Sequence, residues 1–505
     1  MTWIPLSDFG KGLNLASGPL DPSWAIDCLD VTYGRAIKSR PGWGYLTQNA
    51  QTYTKLHPWH NTAGTKYLLA ARSGNTDVLD NAGATAYTEA KTFTSAASFG
   101  SPGNEVVYLA DGTNTVFKFT GTAFSAPGAS QPKPRYVTVK TDDNRLVATG
   151  FTAGANGPAG ATVSESTVHF SDELAPETWT ANSYVQLAPG DGEKIQGCVT
   201  WRSMVFVFKE SRFWVFTDTT TDSGGDPKFN RREVSGAGLA APNAVAVSPE
   251  GVYFLASDGI YFTNGGNPER LLEQEMGPIF GTTNPRFFSS RTVNQSAISG
   301  SAAEFHNGRL YMAVPMNGSS SNNRVIVWDR AFGWWSVYSL AANDLANWNP
   351  DDAEELLIAQ PTAEVIRHAD SYTTDNGQPI AAFSRQAWLD AGQRMSVRQF
   401  KVWGDGEVSC SVATDYAYRT GTEVVADLTS QAEPWGDGVG DADWGTGVEG
   451  DFEWGPDGVY RHKTVRGLRS RGFIFSFQFS NNSSSTPLAV EQASVQLLGG
   501  VNQEQ

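Results

Sequence analysis

The chain has 505 residues, enough for two or three domains with substantial cores. Only 18% of residues are charged, while 52 are Gly and 12% are aromatic, a composition of strands and turns rather than helices. With 37 Lys and Arg against 53 Asp and Glu, the formal net charge of −16 excludes duplex DNA binding over the whole surface and suits a solute or a wall that repels phosphate.

Residues 1–50 are broken by Gly10, Gly12, Gly18, Pro19, Pro22, Gly34, Pro41, Gly42 and Gly44. That spacing fits an extended arm lying on another surface better than a compact domain. Within it, Ser23 to Val31 has the length for about two turns of helix with Ser23 as N-cap, and Ala36 to Arg40 reads as a short strand stopped by Pro41-Gly42.

From 51 to 377 one unit recurs: an apolar run, a short polar turn and a second run rich in β-branched or aromatic residues. It begins at Lys66, Asn104, Asn144 (with its second run at Ser166), Ser203, Glu250, Gly308 and Glu355. The clearest copy is Glu250–Gly265, where Val252, Phe254 and Ala256 alternate with Tyr253 and Leu255. Asp258-Gly259 is there expected to form a type I′ turn, which needs positive φ.

Seven strand units at a spacing of roughly 40–60 residues are the mark of a β-propeller, since one blade cannot bury both faces of its own sheet. The fold class is therefore all-β: a β-propeller of six to eight blades, seven favoured, over 51–377, with an N-terminal extended arm and a C-terminal β-sandwich. Two β-sandwiches are the alternative arrangement of the same hairpins.

The sandwich is assigned to 378–505 from long alternating strands at Gln399–Tyr416, Arg471–Asn481 and Leu488–Gly500. Between them lies the acidic, Gly-rich loop 434–459, with a threefold repeat anchored by Trp435, Trp444 and Trp454.

Chemistry-bearing motifs are sparse. There is no phosphate-binding loop, GxSxG elbow or HExxH motif, so no catalytic, cofactor-binding or metal-ligating residues are assigned. His57 and His60 form the one close histidine pair, and Asp437, Asp441, Asp443, Asp451 and Asp457 match neither an EF-hand nor a calcium-binding β-roll repeat. Trp334-Trp335 is a pair that either stacks on a sugar or packs in a core. Cys28, Cys198 and Cys410 are too few and too scattered for a disulfide framework, which points to synthesis in a reducing compartment. Neither a signal peptide nor a membrane span is legible.

The segment Leu6 to Leu46 resembles the N-terminal signature of β-propeller tail proteins of tailed bacteriophages. The matching residues are Phe9, Gly10, Gly12, Leu13 and Asn14; then Asp27, Leu29, Asp30 and Val31; then Ile37, Arg40 and Gly42. Asp30 stands where Asn is more usual in that pattern. Ser171–Trp179 and Phe208–Asp218 resemble blade segments of the same group, and Arg471–Asn481 resembles its C-terminal sandwich.

The group includes nozzle or tail-hub proteins of short-tailed phages, some stabilising packaged DNA, and minor tail proteins of long-tailed phages. The resemblance implies a virion structural protein, assembled in the host cytoplasm, forming a ring of six copies around the tail axis. Its implied partners are copies of itself, neighbouring tail or portal-adaptor proteins, and genomic DNA sliding past an acidic lumen without sequence-specific contact. In this reading Phe9, Gly10, Gly12, Leu13, Asn14, Asp27, Asp30 and Arg40 belong to a subunit-contact arm. Two other readings stand beside it: a receptor-binding tail protein gripping a host glycan through Trp435, Trp444 and Trp454, and a glycan-degrading propeller enzyme.

Overall fold

The computed structural model describes residues 3–5, 24–26, 28–30, 37–100, 105–128, 131–154, 162–221, 227–271, 277–281, 292–349 and 354–385. Beyond these it describes the strands at 389–405, 407–414, 424–427, 462–466, 471–481 and 489–499.

Seven antiparallel four-stranded blades follow one another. Blade 1 is built from Lys55–His60, Lys66–Arg72, Asn75–Leu79 and Thr85–Glu89, each hydrogen-bonded to the next. Blades 2 to 6 repeat this plan with first strands at Ser95–Phe99, Tyr136–Lys140, Gly197–Trp201, Val245–Val247 and Ala302–His306. Blade 7 takes three strands, Asp344–Trp348, Glu355–Gln360 and Glu364–His368, from the end of the run. Its fourth, Trp43–Thr47, comes from the N-terminal segment. The first strands abut one another around the axis and are the inner strands of the wheel.

The seven hairpin units of the sequence are the second and third strands of the seven blades. These runs are almost wholly apolar because both faces are buried. Leu68 and Ala70 pack into the seam between blades 7 and 1, whereas Leu69 and Ala71 pack into the seam between blades 1 and 2. Likewise Val252, Phe254 and Ala256 face blade 4, and Tyr253 and Leu255 face blade 6. Each of the seven apolar clusters straddles two consecutive blades, the last joining blade 7 to blade 1, so the wheel is closed. Burial of both sheet faces between neighbours is what makes a blade stable only within the set.

Two local expectations are corrected. Ser23–Val31 is not helical where described: Trp24–Ile26 and Cys28–Asp30 are strands. Trp24–Ile26 lies between the outer strand of blade 6, through a parallel bridge Ile26 to Val337, and Phe383–Arg385. Two strand edges with unpaired N–H and C=O groups outweigh the weak helical propensity of a nine-residue stretch.

The type I′ turn is not at Asp258-Gly259. Ala256 pairs with Gly259, which leaves Ser257-Asp258 as the turn, and neither Asp258 nor Gly259 has positive φ. A Cβ at 259 would lie 2.6 Å from Arg270 Nε, the far end of a flexible side chain, so glycine there spares that side chain a shift. The left-handed turn chemistry occurs instead at Asn307-Gly308, φ 47° and 75°, between His306 and Arg309.

Past the propeller, the 17-residue strand Leu389–Asp405 pairs with Arg471–Asn481 through its first part and with Ala489–Gly499 and His462–Arg466 through its second. Arg471–Asn481 continues to Glu407–Thr414 and then Val424–Asp427. Cys28–Asp30 pairs with Ile37–Ser39, which pairs with Ala489–Gly499, and Trp3–Pro5 lies on that same strand. The N-terminal segment thus joins the C-terminal sheets, blade 6 and blade 7.

Candidate functional site

Two sets of polar residues stand out against the apolar seams: a clasp where the N-terminal segment enters blade 7, and a belt along the inner strands.

The clasp is built on Arg40, Pro41 and Gly42. Arg40 is 3% exposed, and its guanidinium donates to both carboxylate oxygens of Asp375 at 2.8 and 2.6 Å and to Pro41 O at 2.9 Å. It also lies 5.7 Å from the centre of the Tyr338 ring. The planar fork matches a carboxylate in a way that lysine cannot.

Gly42 N–H donates to Tyr372 O at 2.7 Å, Trp43 N–H to Thr374 O at 3.1 Å, and Asn376 N–H back to Trp43 O at 2.7 Å. The two backbones run so close that a Cβ on residue 42 would fall 2.0 Å from Thr374 O. His368, buried beside Gly42 O at 3.0 Å, is held to about 3 by burial and then by the Arg40 charge, so it is neutral. Arg40 and Gly42 of that pattern thus have a physical reading as the latch of blade 7, whereas Ile37 pairs with Asp30 and Val490.

The belt links inner strand to inner strand. Asp344 of blade 7, 1% exposed, accepts from Lys55 Nζ at 3.1 Å and from Leu56 N–H at 2.8 Å in blade 1. His57 meets Ser98 Oγ of blade 2 at 3.0 Å, Ser95 Oγ meets Val137 O of blade 3 at 3.1 Å, and Thr138 Oγ1 meets Thr200 Oγ1 of blade 4 at 2.8 Å. Ala303 N–H of blade 6 donates to Asn243 O ahead of blade 5 at 2.9 Å. Asn347 Nδ2 of blade 7 donates to Glu304 Oε1 and to Phe305 O, both at 2.9 Å.

Burial pushes Glu304 up to about 7, with the Asp344 charge adding to it and Phe305 N–H and Lys55 opposing it. His57 is lowered to about 4 by burial and by Lys55. Burial also raises Asp344, against the pull of Lys55. These groups fasten one blade to the next by hydrogen bonding and ion pairing, with Asp344 buried and the His57–Ser98 and Asn347–Glu304 contacts toward the surface.

Of the residues assigned to the arm from sequence, Phe9, Gly10, Gly12, Leu13, Asn14 and Asp27 lie outside the described residues, as do Trp435, Trp444, Trp454 and the loop 434–459. Asp30 sits in a strand opposite Ile37, and Arg40 is spent within its own chain. His57 and His60 lie three apart in one strand, so they project to opposite faces and do not share a ligand. Trp334 and Trp335 are 2% and 0% exposed, in the core of blade 6 rather than on a sugar-stacking surface. No group of three His, Cys, Asp or Glu side chains able to hold a metal occurs among the described residues. Sequence reading passed over Asp344, Glu304 and Lys55. The signal for the first two was an acid beside apolar residues in a short strand, Asp344 opening Asp344–Trp348 and Glu304 within Ala302–His306.

No protein-family model matches the chain, and no curated protein matches it in sequence. In three dimensions it is similar to BamB from Moraxella catarrhalis, at 11% identity and a TM-score of 0.38 over 66% of this chain and 98% of that one. It is similar to the Dos1 propeller at 10% identity, TM-score 0.37, over 74% and 97%, and to streptogramin B lyase at 10% identity, TM-score 0.39, over 64% and 96%. At this level of likeness only the β-propeller fold is shared.

Proposed function

We propose that the chain is a non-enzymatic structural subunit of a bacteriophage tail, one copy in a ring around the channel through which DNA leaves. The observation that carries this reading is the N-terminal segment. Its strands Trp24–Ile26, Cys28–Asp30 with Ile37–Ser39, and Trp43–Thr47 are paired into blade 6, the C-terminal sheets and blade 7 in turn. A segment that ties three parts of one subunit together stiffens it against being pulled apart, the demand placed on a ring under a mechanical load. The phage-like signature supports the reading because its Arg40 and Gly42 are the latch itself. The net charge of −16 supports a lumen that guides DNA without holding it. No helix among the described residues is long and apolar enough to cross a membrane.

The test is native mass spectrometry and negative-stain microscopy of the purified full-length chain, with immunogold labelling of particles. A closed ring, and gold at the tail axis, are the expected results. A chain that stays monomeric at ~100 µM, or label absent from particles, overturns the reading.

A further inference from the structure

We propose that the outer edge of blade 4, Pro227–Ser235, is a docking strand that accepts an extended acidic segment of a partner protein by strand addition. This holds whichever assembly the chain joins.

Three observations carry it. The first is length. Pro227–Ser235 has 9 residues, whereas the outer strands of blades 1, 2, 3 and 5 have 5, 2, 3 and 2. The second is the chain's own habit. It covers the outer strand of blade 6 with Trp24–Ile26 and completes blade 7 with Trp43–Thr47, both times by adding a strand to an open edge. No strand among the described residues lies on the blade 4 edge. A long open edge presents a row of N–H and C=O groups as a template for another chain.

The third is charge and shape. Lys228, Arg231 and Arg232 are exposed on this strand, and none lies within 4.0 Å of a carboxylate among the described residues. A basic edge on a chain of net charge −16 is a local inversion of sign. Like charges oppose pairing of this edge with its copy on another molecule, and the same charges favour an acidic strand.

Beside the edge, between blades 4 and 5, runs a groove of about 420 Å³ lined by Met204, Val215, Thr217, Asn230, Arg232 and Asn264. Residues 228, 230 and 232 share the face toward that groove, because Val234 on the same face packs with blade 5. An added strand alternating acidic and apolar residues extends the sheet beyond Pro227–Ser235 and sets its carboxylates on the face shared by Lys228 and Arg232. Backbone pairing then supplies affinity and the basic side chains of the edge supply selectivity.

The test uses the full-length protein and a fluorescein-labelled octapeptide alternating glutamate and valine, followed by anisotropy. Saturable binding is expected, weakened about tenfold or more in the R231E/R232E double variant, whose melting temperature should match the parent because both side chains are exposed. An isomeric peptide interrupted by proline should not bind, since it cannot complete the ladder. Equal binding of the proline peptide shows charge attraction without strand addition and overturns the proposal. So does binding of a single-stranded oligonucleotide where the peptide fails, self-association through this edge in sedimentation, or no saturation by ~1 mM.

Discussion

Arg40 and Asp375 meet in a two-toothed ion pair, 2.8 and 2.6 Å, across 335 residues of chain. The pair joins the strand that completes blade 7 to the segment that leaves it, so it acts at the one place where the wheel closes on its own beginning. Arg40→Ala leaves Asp375 partly buried without its partner and should cost about 3 kcal/mol. Arg40→Lys should recover only part of that loss, because a single ammonium cannot fill both oxygens. Thermal unfolding measures the cost, and hydrogen exchange at residues 43–47 should rise first.

Gly42→Ala tests the same latch through the backbone. The added methyl carbon would meet Thr374 O at 2.0 Å, and a carbonyl in a paired segment has nowhere to go. A loss of at least about 2 kcal/mol is expected, with early proteolytic cutting near residues 43–47. A melting temperature equal to the parent's would mean the two segments are not so closely joined.

Gly259→Ala should behave differently. Its nearest obstacle is Arg270 Nε at 2.6 Å, the far end of a flexible side chain. The cost should be below about 1 kcal/mol and should vanish in the Gly259→Ala, Arg270→Ala double variant relative to Arg270→Ala alone. A full double-mutant cycle by chemical denaturation reads this directly.

The pH dependence has two arms. His57, His169 and His368 are held by burial to about 4, about 4 and about 3, far below the 6.5 of free histidine. The unfolded chain takes up protons that the folded chain refuses, so their contribution is present above 6.5 and is lost as pH falls toward 4. Glu304 runs the other way. Raised from 4.5 to about 7, its contribution is complete below 4.5 and is lost as pH rises through 7. Melting temperature should therefore fall between pH 7 and pH 5, the lowered histidines, His306 among them, outweighing Glu304 and Asp344, which burial raises. Glu304→Gln should be more stable than the parent at pH 8.5, by about 2 kcal/mol, and should not gain at pH 5. A Glu304→Gln variant without advantage at high pH would show that the carboxylate is comfortable in the belt.

Lys55→Met removes the cation of the Asp344 bridge and leaves an acid that is 1% exposed, so it should cost about 3 kcal/mol. Pairing it with Asp344→Leu should restore much of the loss, since an apolar pair of that size fits a seam already lined with Leu56 and Leu357. Equilibrium unfolding of the single and double variants measures the recovery.

The repeat was written locally along the chain. Seven strand-turn-strand units were legible because a blade's central hairpin is local: its apolar runs are buried on both faces and its turns are short, so each unit is written within about 30 residues. The strands at Arg471–Asn481 and Ala489–Gly499 were legible for the same reason, being long and alternating.

How the wheel closes depends on pairings between segments far apart in the chain. Trp43–Thr47 carries no local mark of belonging with Glu364–His368, and Trp24–Ile26 becomes a strand because two open edges flank it. Gly42 and Gly259 look alike in sequence, yet a Cβ would strike a backbone carbonyl at the first and only a flexible side chain at the second, each brought near from elsewhere in the chain. The belt and the latch share this property. Arg40 with Asp375 and Lys55 with Asp344 are ordinary surface-type residues until closure places them together out of water, and that burial makes their pairing matter.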